Sequence, residues 1–239
     1  MTHRRIIEQL NQDLEALRFA PPVTHVYNPL DYAKAAYLQY AERYGRGRRP
    51  VVLLGMNPGP WGMVQTGVPF GDASMVTEWL GIEAPIGRPA VMHPKRPVEG
   101  FACRRGEVSG RRLWGWALDV FASPERFFEN FFVANYCPLA FMEAGGRNRT
   151  PDKLPAGERR PLETACDRAL AAQAKLMKPD YVIGVGAFAA ASAGRALAQT
   201  PVAVGQITHP SPANPGANRD WAARVTAELV ELGLGALLP

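Results

Sequence analysis

Four short apolar segments constrain the fold of this 239-residue chain more than any other feature of its sequence. The first, at residues 50–54, is bounded by proline and glycine and is otherwise wholly apolar, which is typical of a strand buried in a parallel sheet. Three further segments of the same character lie at 131–134, 181–184 and 202–204. The sequence therefore predicts four parallel strands.

Helical periodicity fills the stretches before and between these segments. Helices are predicted at 3–17, 31–44, 109–121, 158–177 and 187–199, and from about residue 218 onward. Strands that alternate with helices imply right-handed crossovers and a parallel sheet covered on both faces. We predict one α/β domain over residues 1–239, with a helical N-terminal part at about 1–48. Residues 81–110 are rich in Gly and Pro and are predicted to form a long surface loop, which in a compact domain is usually functional or mobile.

Composition narrows the functional classes. The 27 Lys and Arg outnumber the 22 Asp and Glu, and the net charge of +5 permits a polyanionic partner without proving one. No apolar run approaches the roughly 18–20 residues that cross a bilayer, and the N-terminus lacks the apolar core of a signal peptide, so we expect a cytoplasmic protein. Cys103, Cys137 and Cys166 form no Cys-x-x-Cys pair, which favours reduced thiols over a zinc site or an iron–sulfur cluster.

Three polar side chains follow three of the predicted strands. Asn57 comes after the first strand, Asn135 after the second and His209 after the fourth. A proline follows each of them, directly after Asn57 and His209 and shortly after Asn135. Taken singly, an Asn before Pro is more often a turn former, and a lone His is more often structural. However, the carboxyl ends of the strands in an open α/β sheet meet at one edge, where ligands bind. The three residues together therefore predict a functional site at that edge.

The surrounding motifs are recognisable. Residues 55–71, which begin Gly-Met-Asn-Pro-Gly-Pro-Trp-Gly-Met, and residues 209–218, which begin His-Pro-Ser-Pro, closely resemble the single-strand-selective monofunctional uracil-DNA glycosylases of the uracil-DNA glycosylase superfamily. Matches at 135–139, 146–151 and 182–186 follow in the right order. The resemblance implies a four-stranded sheet of order 2-1-3-4. It also implies a base-excision repair enzyme that releases uracil and 5-substituted uracils, such as 5-hydroxymethyluracil, from single- and double-stranded DNA and leaves an abasic site.

The resemblance implies a catalytic role for two residues. Asn57 would position the attacking water, with help from the backbone of Met56. An amide has no lone pair that titrates near pH 7, so Asn57 would orient the water and could not act as an effective general base. His209 would donate a hydrogen bond to uracil O2 as negative charge develops on the departing base. No metal or cofactor is implied.

The resemblance also implies how the base is held. Asn135 would read uracil O4 and N3–H with its amide, and Phe70 would stack on the flipped base. Gly59 stands where strictly uracil-specific branches carry a bulky Tyr, so it would leave room at C5, bordered by Met63. We expect 5-hydroxymethyluracil to be a substrate for this reason.

The segment after His209 is expected to contact DNA. The resemblance implies that it presses into the minor groove while its backbone holds phosphates; its residues are Ser211, Pro212, Ala213, Asn214 and Asn218. Some relatives carry at the position of Ala213 an Arg whose side chain acts as a wedge in the duplex. Because this chain lacks that Arg, we expect its activity on double-stranded DNA to be weaker. No Lys falls in the matched motifs, so a lyase step is not expected. We expect the partner to be DNA that bears a flipped uracil-type base. The protein is expected to act as a monomer and to have no membrane partner.

Three alternatives remain. Residues 184–189 follow a strand and mimic the Gly-x-Gly-x-x-Ala pattern of dinucleotide-binding proteins, but no acidic ribose ligand follows about 20 residues on. A non-catalytic α/β protein that binds nucleic acid would need neither Asn57 nor His209. A superfamily member with specificity broadened towards deaminated purines, such as xanthine or hypoxanthine, stays open because of Gly59.

Overall fold

The computed structural model describes residues 1–239 and contains seven strands and nine α-helices. The strands are β1 (Val23–Tyr27), β2 (Val51–Gly55), β3 (Phe131–Asn135), β4 (Ala140–Glu143), β5 (Asn148–Arg149), β6 (Tyr181–Val185) and β7 (Ala203–Ile207). The helices are α1 (His3–Glu15), α2 (Pro29–Tyr32), α3 (Lys34–Tyr44), α4 (Met63–Thr66), α5 (Val108–Phe121), α6 (Pro124–Asn130), α7 (Ala156–Met177), α8 (Ala187–Ala196) and α9 (Trp221–Glu231).

The main sheet has four parallel strands in the order β3-β2-β6-β7. Counted along the chain, this is the order 2-1-3-4, so the predicted fold class is confirmed. Strands β2, β3 and β6 are almost wholly buried, as their apolar sequences predict. The edge strand β7 differs, because most of its residues are exposed or half-buried. The prediction of a sheet covered on both faces therefore holds for β2, β3 and β6 and not for β7.

A second, antiparallel sheet of order β1-β4-β5 was not predicted. Strand β1 lies inside residues 1–48, which were predicted to be helical, so that part of the chain contains a strand as well as α1, α2 and α3. The pairing partners of β1 are more than a hundred residues away; Tyr27, for example, pairs with Ala140. Strands β4 and β5 have only four and two residues, and such short strands depend on a distant partner that no local pattern reveals.

One apolar core of 54 buried residues joins helices from both ends of the chain to the main sheet. Aromatic side chains fill much of it. The Tyr44 ring stacks on Phe128 with centroids 4.0 Å apart, and the Tyr40 hydroxyl donates to the Val133 carbonyl at 2.8 Å. Burying apolar area of this kind stabilises a fold by about 25 cal/mol per Å². No helix is long and apolar enough to span a membrane.

Residues 81–110 are irregular as predicted, apart from a short 3-10 turn at Gly100–Ala102 and the start of α5. The segment is tied to the body of the protein by the buried side chain of Gln65. Its amide nitrogen donates to the Pro97 carbonyl at 2.9 Å, and its amide oxygen accepts from the Glu99 backbone N–H at 2.8 Å. The segment then leads to Glu107, the N-cap residue of α5.

Candidate active site

A cavity of about 300 Å³ lies beyond the carboxyl ends of the main strands. Thirteen residues line it: Met56, Asn57, Gly59, Gly62, Met63, Phe70, Glu107, Ser109, Asn135, Asn148, Thr150, His209 and Ser211. All seven residues predicted to act in catalysis or base binding are among them. The volume is at the lower end of the range for ligand pockets, which suits a small ring.

Hydrogen bonds between two loops fix the position of Asn57. The pairing of β2 with β3 continues past the strands, because Tyr136 N–H donates to the Gly55 carbonyl and Cys137 N–H to the Met56 carbonyl, both at 2.9 Å. The Asn57 amide nitrogen then donates to the Leu139 carbonyl at 3.1 Å. This bond uses the donor side of the amide, so the Asn57 oxygen is left as an acceptor at the cavity wall.

Gly55 allows two base-binding candidates to approach each other closely. A Cβ at this position would lie 2.3 Å from the Asn135 amide oxygen and 2.6 Å from the Phe70 ring, distances that no real side chain tolerates. The Asn135 amide nitrogen donates to the Met63 sulfur at 3.2 Å. Sulfur is a weak acceptor, so this bond orients the amide without competing strongly with a ligand.

Phe70 has a left-handed backbone conformation, with a φ of 54°. Such a conformation costs a bulky residue roughly 1–3 kcal/mol and persists when the surroundings impose it. Here the N-terminus of α5 packs onto the Phe70 backbone, where a Cβ on Gly110 would lie 2.0 Å from the Phe70 carbonyl oxygen. The Phe70 ring lies 6.1 Å from the His209 ring, centroid to centroid. The aromatic ring is thus placed at the cavity at a cost in backbone strain.

The environment of His209 makes it a neutral hydrogen-bond donor. Burial lowers the pKa of His209 from 6.5 to about 4, so the ring is uncharged near pH 7. Its Nδ1 accepts from the Ser211 backbone N–H at 3.0 Å, which leaves the proton on Nε2. Gly186, with a φ of 92°, allows the neighbouring loop to pass close to the imidazole, since a Cβ there would lie 3.3 Å from the His209 Cβ.

Gly59 leaves an open space at the cavity wall. Its backbone does not require glycine, because its φ is not positive and a Cβ would meet no atom closer than 3.8 Å. The three nearest atoms all belong to Glu107. At Gly62, by contrast, a Cβ would lie 2.8 Å from the Glu107 Cγ, so that glycine is needed for the acidic side chain to pack there.

Glu107 is held from several directions. Its carboxylate accepts from the backbone N–H groups of Ser109 and Gly110 at the start of α5. Its own N–H donates to the buried carboxylate of Asp72 at 2.8 Å, and Asp72 also forms an ion pair with Arg111. Burial raises the pKa of Glu107, and the two N–H donors oppose this effect.

Hydrogen bonds within the loop after His209, and one from α5, stabilise its conformation. The Asn214 side chain donates to the His209 carbonyl at 3.3 Å, and that of Asn218 donates to the Pro212 carbonyl at 3.0 Å. Arg112 donates to the Pro210 carbonyl at 2.8 Å and so ties the loop to α5. Pro212 and Ala213 are exposed, whereas Ser211 is half-buried at the cavity.

The arginine residues at positions 104, 105, 111, 112, 147 and 149 differ in their exposure and in their partners. Arg104, Arg105 and Arg147 are exposed, and the Arg105 guanidinium lies 4.6 Å from the Trp61 ring centroid. Arg111 and Arg112 have the structural partners described above, and Arg149 forms an ion pair with Glu143 at 3.0 Å.

Five residues of the cavity wall were not predicted from the sequence: Gly62, Glu107, Ser109, Asn148 and Thr150. Asn148 and Thr150 lie in a motif that was matched but given no role, and the Asn148 side-chain oxygen is buried without a hydrogen-bond partner. Glu107 and Ser109 lie at the end of the predicted loop and at the start of the helix after it. The available signal was an N-cap pattern, in which an acidic residue precedes a helix; it indicates a helix start and no cavity.

Comparisons with known proteins agree on the family. A family model described as the uracil DNA glycosylase superfamily matches residues 42–230. The single-strand selective monofunctional uracil DNA glycosylases of Mus musculus and Bos taurus are each 47% identical to the chain over 232 residues, which is 96% of this chain and 83% and 85% of those proteins. A crystal structure of wild-type Pedobacter heparinus SMUG2 is 18% identical, covers 86% of this chain and 87% of its own, and has a TM-score of 0.56, which shows a shared fold.

Proposed function

The chain belongs to the uracil DNA glycosylase superfamily, within its single-strand selective monofunctional branch, and from this we propose that it removes uracil and 5-substituted uracils from single- and double-stranded DNA in base-excision repair. The observation that carries the proposal is the meeting of Asn57 and His209 in one cavity with Asn135 and Phe70. A protein that only binds nucleic acid would need no such arrangement.

Hydrolysis of the N-glycosidic bond develops positive charge on the sugar and negative charge on the base. Asn57 acts on the sugar side, where its amide oxygen orients a water molecule towards the anomeric carbon. The bond from the Asn57 amide nitrogen to the Leu139 carbonyl keeps that oxygen from rotating away. The amide does not remove a proton from the water, but an oxocarbenium-like carbon accepts neutral water and the proton can leave late.

His209 acts on the base side. Its Nε2–H donates to uracil O2, and the bond strengthens as the base leaves with negative charge. Because the imidazole is already neutral and its Nδ1 is occupied by the Ser211 N–H, it needs no proton transfer before the reaction. Donors placed in advance in this way contribute about 2.7–4 kcal/mol to a transition state.

Asn135 and Phe70 select the base. The Asn135 amide offers a donor to O4 and an acceptor to N3–H, and cytosine presents the reverse pair, so cytosine meets two repulsive contacts. The Phe70 ring stacks on the base after it has left the helix. Flipping costs a few kcal/mol in a duplex and less in a single strand. Met63 and the backbone of Met56 complete the wall, and Gly59 leaves space for a substituent at C5.

The reaction ends with an abasic site in an intact strand. A lyase step needs an amine nucleophile, and no Lys is among the residues that line the cavity. The loop formed by Ser211, Pro212, Ala213, Asn214 and Asn218 presses into the minor groove, with the exposed Pro212 and Ala213 at its tip. The enzyme acts as a monomer in the cytoplasm, at the nucleoid, and without a metal or cofactor.

Release of the base from defined oligonucleotides tests the proposal. Single and double strands with one uracil, 5-hydroxymethyluracil or xanthine are incubated with excess enzyme, with and without a chelator. We expect release of the first two bases from both kinds of strand, at a rate that the chelator leaves unchanged. Xanthine tests the broader specificity that the space beside Gly59 would permit. Failure to release uracil from either strand would exclude the proposed activity.

A further inference from the structure

Two arginine side chains lie against the ring of Trp61. The Arg105 guanidinium carbon is 4.6 Å from the ring centroid and that of Arg96 is 5.1 Å from it, so the two cations are no farther apart than the sum of these distances. The two other arginines that contact an aromatic ring each pair with a carboxylate as well. Arg96 and Arg105 form no ion pair. We call these three residues the Trp61 cluster.

The Trp61 cluster lies at the edge of the cavity. Trp61 stands between Gly59 and Gly62 in the sequence, and both of these glycines line the cavity. Arg105 comes shortly before Glu107, which lines it as well. A DNA strand that places a base in this cavity therefore has its neighbouring phosphates close to the cluster.

The position of Arg96 is fixed by its surroundings. The Tyr27 hydroxyl of β1 donates to the Arg96 carbonyl at 2.9 Å. A Cβ on Gly146 would lie 3.3 Å from the Arg96 guanidinium carbon, so this glycine lets the side chain pack closely. Only Nη1 finds an acceptor in the protein, the Lys95 carbonyl at 2.8 Å. A guanidinium has five N–H donors, so Arg96 keeps donors for a ligand.

Three more cations are adjacent to these positions in the sequence. Lys95 precedes Arg96, Arg104 precedes Arg105, and Arg147 follows the glycine that Arg96 contacts. All three are exposed, and none forms an ion pair. Like charges that share a region repel one another and attract a polyanion. The side of the protein that carries the Trp61 cluster is therefore suited to bind an anionic chain.

The Trp61 cluster and the loop after His209 lie towards opposite edges of the main sheet. The loop follows β7, which forms one edge. Arg96 contacts Gly146, which lies between β4 and β5, and these strands follow β3 at the other edge. A strand whose base enters the cavity has phosphates on both sides of the flipped nucleotide. The cluster is thus placed to contact the phosphates that the loop does not reach.

We propose that the Trp61 cluster binds backbone phosphates of the damaged strand beside the flipped nucleotide, on the side away from the loop after His209. The proposal rests on the proposed function and adds an interaction surface to it. The Trp61 ring holds the two guanidinium groups by cation–π contact without neutralising them. Arginine binds phosphate through two parallel N–H donors, and a group held in advance loses less freedom when it binds.

The salt dependence of binding gives the first test. The ligand is a single strand with one 2′-fluoro-2′-deoxyuridine, whose electron-withdrawing fluorine suppresses hydrolysis. Each phosphate contact on a single strand adds about 0.7 to the slope of log affinity against log salt. Arg105→Gln and Arg96→Gln should each lower this slope by about 0.7 and weaken binding about fivefold at about 0.1 M salt. Arg105→Lys keeps the charge and should keep the slope.

Arg126→Gln is the matched control. Arg126 is exposed on α6, which runs directly into the first residue of β3 and so lies at the amino ends of the strands, away from the cavity. It forms no ion pair, so the substitution removes the same charge from the opposite end of the sheet. We expect the slope and the affinity to stay unchanged. An equal loss in Arg126→Gln and Arg105→Gln would overturn the proposal in favour of net charge.

A scan with uncharged phosphates locates the contact. Phosphates around the fluorinated nucleotide are replaced one at a time by methylphosphonate. At one or two positions on one side, the replacement should weaken binding of the unaltered protein about fivefold and that of Arg105→Gln less than about twofold, because the contact is already lost. Losses that add at every position would overturn the proposal.

A structural role of the arginines would give a different pattern. It would lower the melting temperature and leave the salt slope as it was, and that result would also overturn the proposal. Arg105 is exposed, so its variants carry the test even if Arg96→Gln does not fold. Release of uracil from an unmodified strand without any coupled phosphate would uphold the proposed function and exclude this surface. Coupled phosphates without release would do the reverse.

Discussion

The two sides of the cavity are built on different physical principles. On the reaction side, Asn57 and His209 are uncharged, and a backbone hydrogen bond fixes each while leaving one functional atom available. On the selection side, Gly59 supplies space and Glu107 supplies a carboxylate that borders it. The reaction side thus works through the orientation of neutral groups, and the selection side through volume.

This difference has a consequence for substitutions. A change on the reaction side should slow the release of every base by a similar factor, because every base leaves with the same developing charge. A change on the selection side should alter the ratio between bases, because only substituted bases reach that wall. Substitutions at single residues should therefore separate the two behaviours, and the largest effect is expected at His209.

His209→Ala removes the donor to the departing base. We expect single-turnover release of uracil and of 5-hydroxymethyluracil to fall by about 10²–10³ alike, as for the loss of one oxyanion-hole donor. His25→Ala, at a histidine outside the cavity, is the control and should leave both rates unchanged. A loss confined to one of the two bases would break the distinction between the sides.

Gly59→Tyr fills the space beside Glu107. Release of 5-hydroxymethyluracil should fall by about tenfold or more relative to uracil, because overpacking costs roughly 1–3 kcal/mol. Gly145→Tyr is a matched control, since a Cβ on Gly145 meets nothing within 4 Å and the residue is exposed outside the cavity. An unchanged ratio between the two bases would show that C5 does not point to this wall.

The reaction side was much more predictable from the sequence than the selection side. Asn57, Asn135 and His209 each follow a strand that local apolar patterns reveal, and parallel strands bring their carboxyl ends together by geometry. Glu107 reaches the cavity only because residues 81–110 fold back over the protein and are tied down by Gln65. That path depends on tertiary contacts, which leave no periodic mark in the sequence.

Strand β1 illustrates the same limit in the fold. Val23 and Tyr27 are buried at its ends and its sequence is rich in β-branched and aromatic residues, which is a strand pattern. Its partner β4 lies beyond residue 139, and the two form a sheet only when the chain has folded. Local propensity alone did not distinguish β1 from the turn before α2.

Ala213→Arg concerns a third region, the exposed tip of the loop after His209. A long cationic side chain there should help to hold a duplex open, so we expect a few-fold faster release of uracil from double strands and little change on single strands. Ala16→Arg, at an exposed position after α1, adds the same charge elsewhere and should not favour duplexes. Equal gains by both variants would attribute the effect to net charge.

The smallest effect concerns pH. Because burial lowers the pKa of His209 to about 4, its neutral form persists in the folded protein well below the ordinary value of 6.5. The rate of base release in the enzyme–DNA complex should therefore show no dependence on pH that arises from His209 between about pH 5.5 and 8. The unfolded chain takes up this proton near pH 6.5, so the contribution of His209 to stability is complete above that pH and is lost as the pH falls towards 4. A fall in rate centred near pH 6.5 that is absent from His209→Asn would contradict a neutral donor.

The claim that the reaction depends on an oriented water is tested most directly at Asn57, by single-turnover release of uracil from a single strand. We predict that Asn57→Ala loses about 10² or more in rate, because the water is no longer positioned. Asn57→Asp should retain substantial activity, since it still offers an oxygen to the water although it gives up the bond to the Leu139 carbonyl. Equal rates for Asn57→Ala and the unaltered enzyme would contradict the account.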